Sequence, residues 1–293
     1  MPTDRVYYVD NSVCPEVGEG TEADPFCALG SVLSLENTPT GESSVAIVIG
    51  HATEVYREHV EFPGAWPRRV AVLGRGRVTI GFTGLEGPVF EVKKGSHLYL
   101  HNVTLTRSAE SAVRCAEATV WIDKSDLFLN AVGVDAEECE LVVRQSQVFD
   151  NDGDGIRLSA QSALRMESSV LVGNGDPQTE TVALRSSESR FDVTYSSIVG
   201  NDAALGRGGA APHASLLCTG GMGGPIRNSV VVGPELTSVS CPWADFDTSF
   251  IDTPGPMALK KDLSVSALRP FAAQTTTPRS WSTTVVMYWW CFR

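Results

Sequence analysis

Asp150-Asn-Asp152-Gly-Asp154-Gly155 sets three carboxylates at alternate positions of a Gly-containing turn. That is the first half of the DxDxDG loop, whose oxygens converge on a hard cation. The second half is missing, because Gln161 stands where a bidentate Glu belongs and nothing helical flanks the loop. Calcium held by Asp150, Asp152 and Asp154 in an incomplete site is the cation this turn suggests; an ordinary solvated Asp/Gly turn is the simpler reading. Acid–base work on a glycosidic bond needs two carboxyl groups about 5 to 10 Å apart. Asp152 or Asp154 with Asp176 or Asp202 meets that need if their turns stack. Arg207 and His213 bring a cation and a titratable ring to the widest of these turns, with Arg157 and Arg185 close by on strands. The candidate catalytic set is therefore Asp152, Asp154, Asp176, Asp202, Arg207 and His213. The chain has no nucleophile elbow and no phosphate loop. It has no CxxC pair and only five His, which argues against a zinc site.

These turns are placed by an internal repeat. Seven segments begin at residues 98, 120, 141, 164, 191, 224 and 244, spaced by 22, 21, 23, 27, 33 and 20 residues. The third position is apolar in the last six: Ile122, Val143, Met166, Val193, Ile226 and Phe246. The sixth is Ser125, Ser146, Ser169, Ser196, Ser229 and Ser249, and the eighth is apolar again. The first copy, from Leu98, has Val103 in place of the Ser. Apolar residues at positions one and three make a short strand with one buried face. The Ser marks a corner where a small hydroxyl bonds the backbone. A unit of about 20 residues holding two or three short strands is too short for a propeller blade. It lacks the 3.6-residue period of a helical repeat and the Leu/Asn pattern of a leucine-rich repeat. The fold class is all-β: a single right-handed parallel β-helix, the hand following from the general rule for parallel crossovers. Asn130, Asn151, Asn174 and Asn201 make a further column, read as an internal amide ladder in preference to sugar contact.

Lys plus Arg is 23 and Asp plus Glu is 35, a formal charge of −12 that repels phosphate backbones, so no nucleic acid partner is expected. No apolar run approaches the ~20 residues that cross a bilayer. The N-terminus lacks the apolar core of a signal peptide, so the chain either stays inside or follows a removed leader. Among the seven cysteines, Cys14 and Cys27 flank one Gly- and acid-rich loop, which suits a local disulfide. Cys218 and Cys241 each precede a repeat strand and belong to neighbouring coils. This favours an exported, partly disulfide-bonded protein over a set of reduced buried thiols.

Residues 1–44 are expected to supply a strand, a loop and a short helix begun by Pro25; 45–253 the coils; 254–293 a cap or irregular tail. That tail has no acidic residue after Asp262, and its end carries Trp281, Trp289 and Trp290. The order Tyr7-Tyr-Val-Asp10, a Gly-rich loop, Asp24-Pro-Phe26 and then coils resembles the start of bacterial secreted or surface proteins of the pectin-lyase-like β-helix superfamily. The resemblance runs over roughly residues 5–253. It implies an extracellular or cell-surface location, a capped solenoid, and polysaccharide or another cell-surface polymer as partner. The polygalacturonase marks, a paired Asp-Asp strand motif and Gly-His-Gly, are absent.

Three functions are carried forward, in this order: binding of carbohydrate or another extended polymer, a polysaccharide lyase or glycoside hydrolase, and a purely structural or adhesin-like solenoid. Exposed stacked aromatics would favour the first, and Tyr99, Trp121 and Phe128 are the candidates on the repeat strands. A monomer is expected. Asn102-Val-Thr104 fits a glycosylation sequon.

Overall fold

The computed structural model describes residues 5–15, 18–33, 44–50, 55–62, 69–81, 87–175, 181–199, 214–233 and 239–252. All lie within the compact unit Met1–Asp262. Every strand pairing among them is parallel, and each strand bonds to its counterpart one turn of chain away, which makes three sheets. The first stacks Arg5–Val9, Ser44–Ile49, 69–73, 97–101, Thr119–Asp123, Glu140–Arg144, Ala163–Glu167, 190–194, 224–227 and Ala244–Asp247. The second runs from Tyr56–Arg57 through 78–81, 103–106, Asp126–Phe128, Gln147–Phe149, Val170–Val172, Ser197–Val199 and Val230–Val232 to Phe250–Asp252. The third runs from Val60–Phe62 through Phe90–Val92, Ser111–Ala116, Val132–Glu137, Ile156–Ser159, 184–187 and 216–219 to Val239–Ser240. The chain is a parallel β-helix.

Alternation puts one side of each strand inside. On the first sheet the inward column is Leu98, Val120, Leu141, Leu164 and Phe191, each at most 3% exposed. Between the first and second sheets the chain turns through one residue in the left-handed region. This is Lys124, Gln145, Ser168, Tyr195, Asn228 and Thr248, all with φ of 49° or 50°. The Ser that follows does two jobs. Its Oγ donates to the carbonyl two residues back, as Ser146 does to Arg144 at 2.7 Å. The same oxygen accepts the backbone N–H of the Ser one rung earlier. Ser125 N–H donates to Ser146, Ser146 to Ser169, Ser169 to Ser196, Ser196 to Ser229 and Ser229 to Ser249, at 3.1 to 3.2 Å. Val103 donates its N–H to Ser125 at 3.3 Å but has no hydroxyl to offer. The hydroxyl column therefore starts at Ser125.

The second corner is an amide ladder. Asn130 N–H donates to Asn151 Oδ1 at 3.1 Å and Asn151 N–H to Asn174 Oδ1 at 3.3 Å; the Nδ2 groups donate along the same line at 3.0 and 2.7 Å. All three side chains are at most 1% exposed, so they face no sugar. Asn201 lies outside the described residues.

At the N-terminal end, Arg5–Val9 pairs with Ser44–Ile49 and so forms the first rung of the first sheet. The helix expected from Pro25 begins later, at Leu29, and ends at Leu33. Phe26 is extended instead, because its N–H donates to Tyr8 and its carbonyl accepts from Asp10, at 2.9 and 2.8 Å. The helix buries Leu29 and Val32, and its first two N–H groups donate to the Glu58 carboxylate at 2.9 and 2.8 Å. Among the described residues three disulfides are formed: Cys14–Cys27, Cys218–Cys241 and Cys115–Cys139. The first matches the local pairing expected, and the second joins neighbouring coils. The third has no counterpart among the sequence expectations.

Candidate functional site

Of the acidic turn, Asp150 and Asp152 are exposed, whereas Asp154 is fully buried. One Asp154 oxygen accepts from Arg157 Nε and Arg185 Nε, both at 2.9 Å. The other accepts from Val182 N–H at 2.7 Å and Arg185 Nη2 at 3.2 Å. Arg157 and Arg185 stand side by side on successive rungs of the third sheet. Like charges in register repel, and Asp154 sits between them as their shared counter-charge. Its carboxylate is thereby committed to the protein itself. Asp176, Asp202, Arg207 and His213 lie outside the described residues. Asn102 of the sequon has φ 55° and donates its amide to the Gly74 and Gly76 carbonyls at 3.0 and 3.1 Å. A glycan there would have to break into that corner.

The outward face of the first sheet is chemically richer. Repeat position two stacks Tyr99, Trp121, Val142 and Arg165 on successive rungs. Position four stacks His101, Asp123, Arg144 and Glu167 beside them. Asp123 is the hub: it is 4% exposed. Its Oδ2 meets His101 Nδ1 at 2.8 Å and accepts from the Tyr99 hydroxyl at 3.1 Å, while its Oδ1 accepts from Arg144 Nε at 2.8 Å. Burial raises the Asp123 pKa, but the hydrogen bonds from Arg144, His101 and Tyr99 outweigh it and leave the carboxyl below its usual range. Burial and the neighbouring Asp123 charge raise the Tyr99 phenol. The Tyr99 and His101 rings stack, 6.0 Å apart and 15° from parallel.

Trp121 is 45% exposed, as is Trp243. Trp121 borders a cavity of about 170 Å³ lined with Tyr99, Asp123, Val142, Arg144 and Arg165. Val142 and Arg165 also line a second cavity of about 380 Å³, reaching Arg190, Asp192 and Pro225. The two depressions therefore adjoin along the coil axis, with cations and carboxylates alternating beside an exposed indole. Phe128, by contrast, belongs to the second sheet, where it stacks on Phe149 at 4.8 Å. Sequence reasoning missed His101, Asp123, Arg144 and Arg165. The signal was present in positions two and four of the repeat, which hold residues of very different type and so do not stand out as columns.

No known family model matches the chain, and no curated protein sequence does. Among solved structures, the pectin methylesterase of Aspergillus niger in its penultimately deglycosylated form is similar with a TM-score of 0.56 at 10% identity, over 91% of this chain and 94% of that one. The deglycosylated form of the same enzyme scores 0.53 at 9% identity, with the same coverage of both chains. The pectate lyase Pel9A covers 91% of this chain and 84% of its own at 13% identity, with a TM-score of 0.47. What is shared with the methylesterase at these identities is the fold alone, a parallel β-helix.

Proposed function

We propose that the chain is an extracellular polysaccharide-binding β-helix that lays an extended polymer along the outward face of its first sheet. The observation that carries this reading is the half-exposed Trp121 in the smaller of two cavities that adjoin at Val142 and Arg165, with Arg144 in the wall of the first and Arg190 in that of the second. An indole stacks on the apolar face of a pyranose ring. Guanidinium groups bond carboxylates and hydroxyls in pairs. Rungs repeat at roughly 4.8 Å, so outward positions recur along one line, as a polymer's units do. Three disulfides support an oxidising compartment. The Aspergillus niger neighbour's name, pectin methylesterase, makes pectin the first polymer to test.

Polysaccharide processing is the second reading, favoured by the His101–Asp123 pair. An imidazole whose Nδ1 donates to a buried carboxylate presents Nε2 outward, the arrangement of a general base.

One experiment addresses both. Titration calorimetry with methylated pectin, polygalacturonate and a neutral glucan is run on the wild type and on Trp121→Ala and Arg165→Ala, with released methanol and unsaturated or reducing ends assayed in parallel. Trp121→Ala is expected to weaken binding by about 2 kcal/mol, roughly 30-fold. Equal affinity of all three proteins for every polymer sinks the binding reading. Turnover that survives His101→Asn sinks the catalytic one.

A further inference from the structure

Away from that face, Glu61 and Glu91 stand directly opposite each other on the first two rungs of the third sheet. Their neighbours Val60, Phe62, Phe90 and Val92 are all buried, at most 1% exposed, so alternation sends both carboxylates outward on the same side. Two like charges in register repel. The ammonium of Lys93 answers them, hydrogen-bonded to Glu61 Oε1 and 3.4 Å from Glu91 Oε2. His59 lies two residues before Glu61. Its Nδ1 is 2.6 Å from the Pro88 carbonyl, which can only accept. Nδ1 therefore bears the proton, and in the neutral ring the lone pair is on Nε2. A backbone carbonyl that fixes the tautomer in this way is the usual support of a metal-binding imidazole. One ligand atom from each of His59, Glu61 and Glu91 lies within 4.8 Å of the others.

The geometry points to a zinc-class divalent cation site formed by His59, Glu61 and Glu91, with the ammonium of Lys93 as the charge the ion displaces. One imidazole and two carboxylates suit zinc or its neighbours in the transition series; calcium takes oxygen ligands alone. The cluster is half exposed, which leaves room for water in the remaining coordination position. Bound there, the ion ties the first two rungs of the third sheet together. Cysteine and histidine spacing is blind to such a site. Its ligands are brought together by rung register, Glu61 and Glu91 being 30 positions apart in the chain (91 − 61).

The test is calorimetric titration of the chelator-stripped full chain with zinc chloride and, separately, calcium chloride. Zinc is expected to bind at one site abolished or weakened at least ~10-fold in each of Glu61→Gln, Glu91→Gln and His59→Ala, since loss even of a supporting partner costs ~10–100-fold. Lys93→Met is expected to bind zinc more tightly, a gain that misfolding does not produce. Absence of zinc binding, zinc binding unchanged in the Glu61→Gln, Glu91→Gln double variant, weaker binding in Lys93→Met, or calcium bound as tightly as zinc each overturns the assignment.

Discussion

At the scale of single residues, direction decides role. Asp154 has the type and spacing of a cation ligand, yet both its oxygens are taken by Arg157, Arg185 and the Val182 N–H. The reason is electrostatic: two guanidiniums in register need an anion between them more than a turn needs an ion. Asp123 shows the converse. It sits in an ordinary Trp-Ile-Asp-Lys stretch, and three polar partners from two other rungs converge on it. Tyr56 is a third case and makes a pH prediction. Its hydroxyl accepts the Asn11 N–H at 3.2 Å and lies 3.4 Å from the Val9 carbonyl, pinning the N-terminal strand. Burial, first of all, pushes this phenol up to about 12. The unfolded chain ionises it near the usual value of about 10, so its contribution is whole below that pH and is lost as pH rises toward 12. Each tenfold change in proton affinity is worth ~1.4 kcal/mol. Urea unfolding should therefore show about 3 kcal/mol of alkaline destabilisation in the wild type that is missing from Tyr56→Phe. An identical alkaline slope in the two proteins defeats this account.

At the scale of elements, the corner is the unit that holds the coil together. A Ser at the sixth position satisfies one carbonyl on its own rung and one N–H on the rung before. Ser146→Ala removes the acceptor from the buried Ser125 N–H and the donor from the Arg144 carbonyl. The expected cost is ~1–3 kcal/mol in equilibrium denaturation, the penalty of a stranded buried polar group. A variant as stable as the wild type would mean that water or a backbone shift replaces the hydroxyl. The Ser column and the Asn column were both legible in sequence, because a stacked ladder requires the same small polar group at every step. The start of the helix was not. Pro25 is a good first helical residue in isolation, but the bridge of Phe26 to Val9 holds that stretch extended. A tertiary bond overrode a local preference.

At the scale of the molecule, a solenoid is stabilised by contacts between neighbouring rungs and by little that is longer in range. Cross-links between rungs therefore matter more than their number suggests. Cys115 lies in a third-sheet strand, and Cys139 lies at the corner that ends the next rung, 24 residues on. Replacing both by Ser should cost about 3 kcal/mol by the loop-closure argument. The loss of hydrogen-exchange protection should be greatest in strands 111–116 and 132–137. Uniform loss over the whole coil would instead argue for global cooperativity. The pairing escaped the sequence reading because Cys115 and Cys139 occupy different positions within their coils and no column joins them.

What the sequence determined by itself is the coil: its period, its inward columns, its Ser and Asn corners and two of its disulfide relations. Each of these columns is written many times over, once per rung, so periodicity alone exposes it. The three sheets pair in register, and that pairing is a tertiary fact. It decides which outward side chains meet, and so it brings Tyr99, His101, Trp121, Asp123 and Arg144 together on one face and sets Glu61 against Glu91. Outward positions carry no packing constraint that repeats from rung to rung. Each is free to differ from its neighbours, and only stacking the rungs shows which differences face one another.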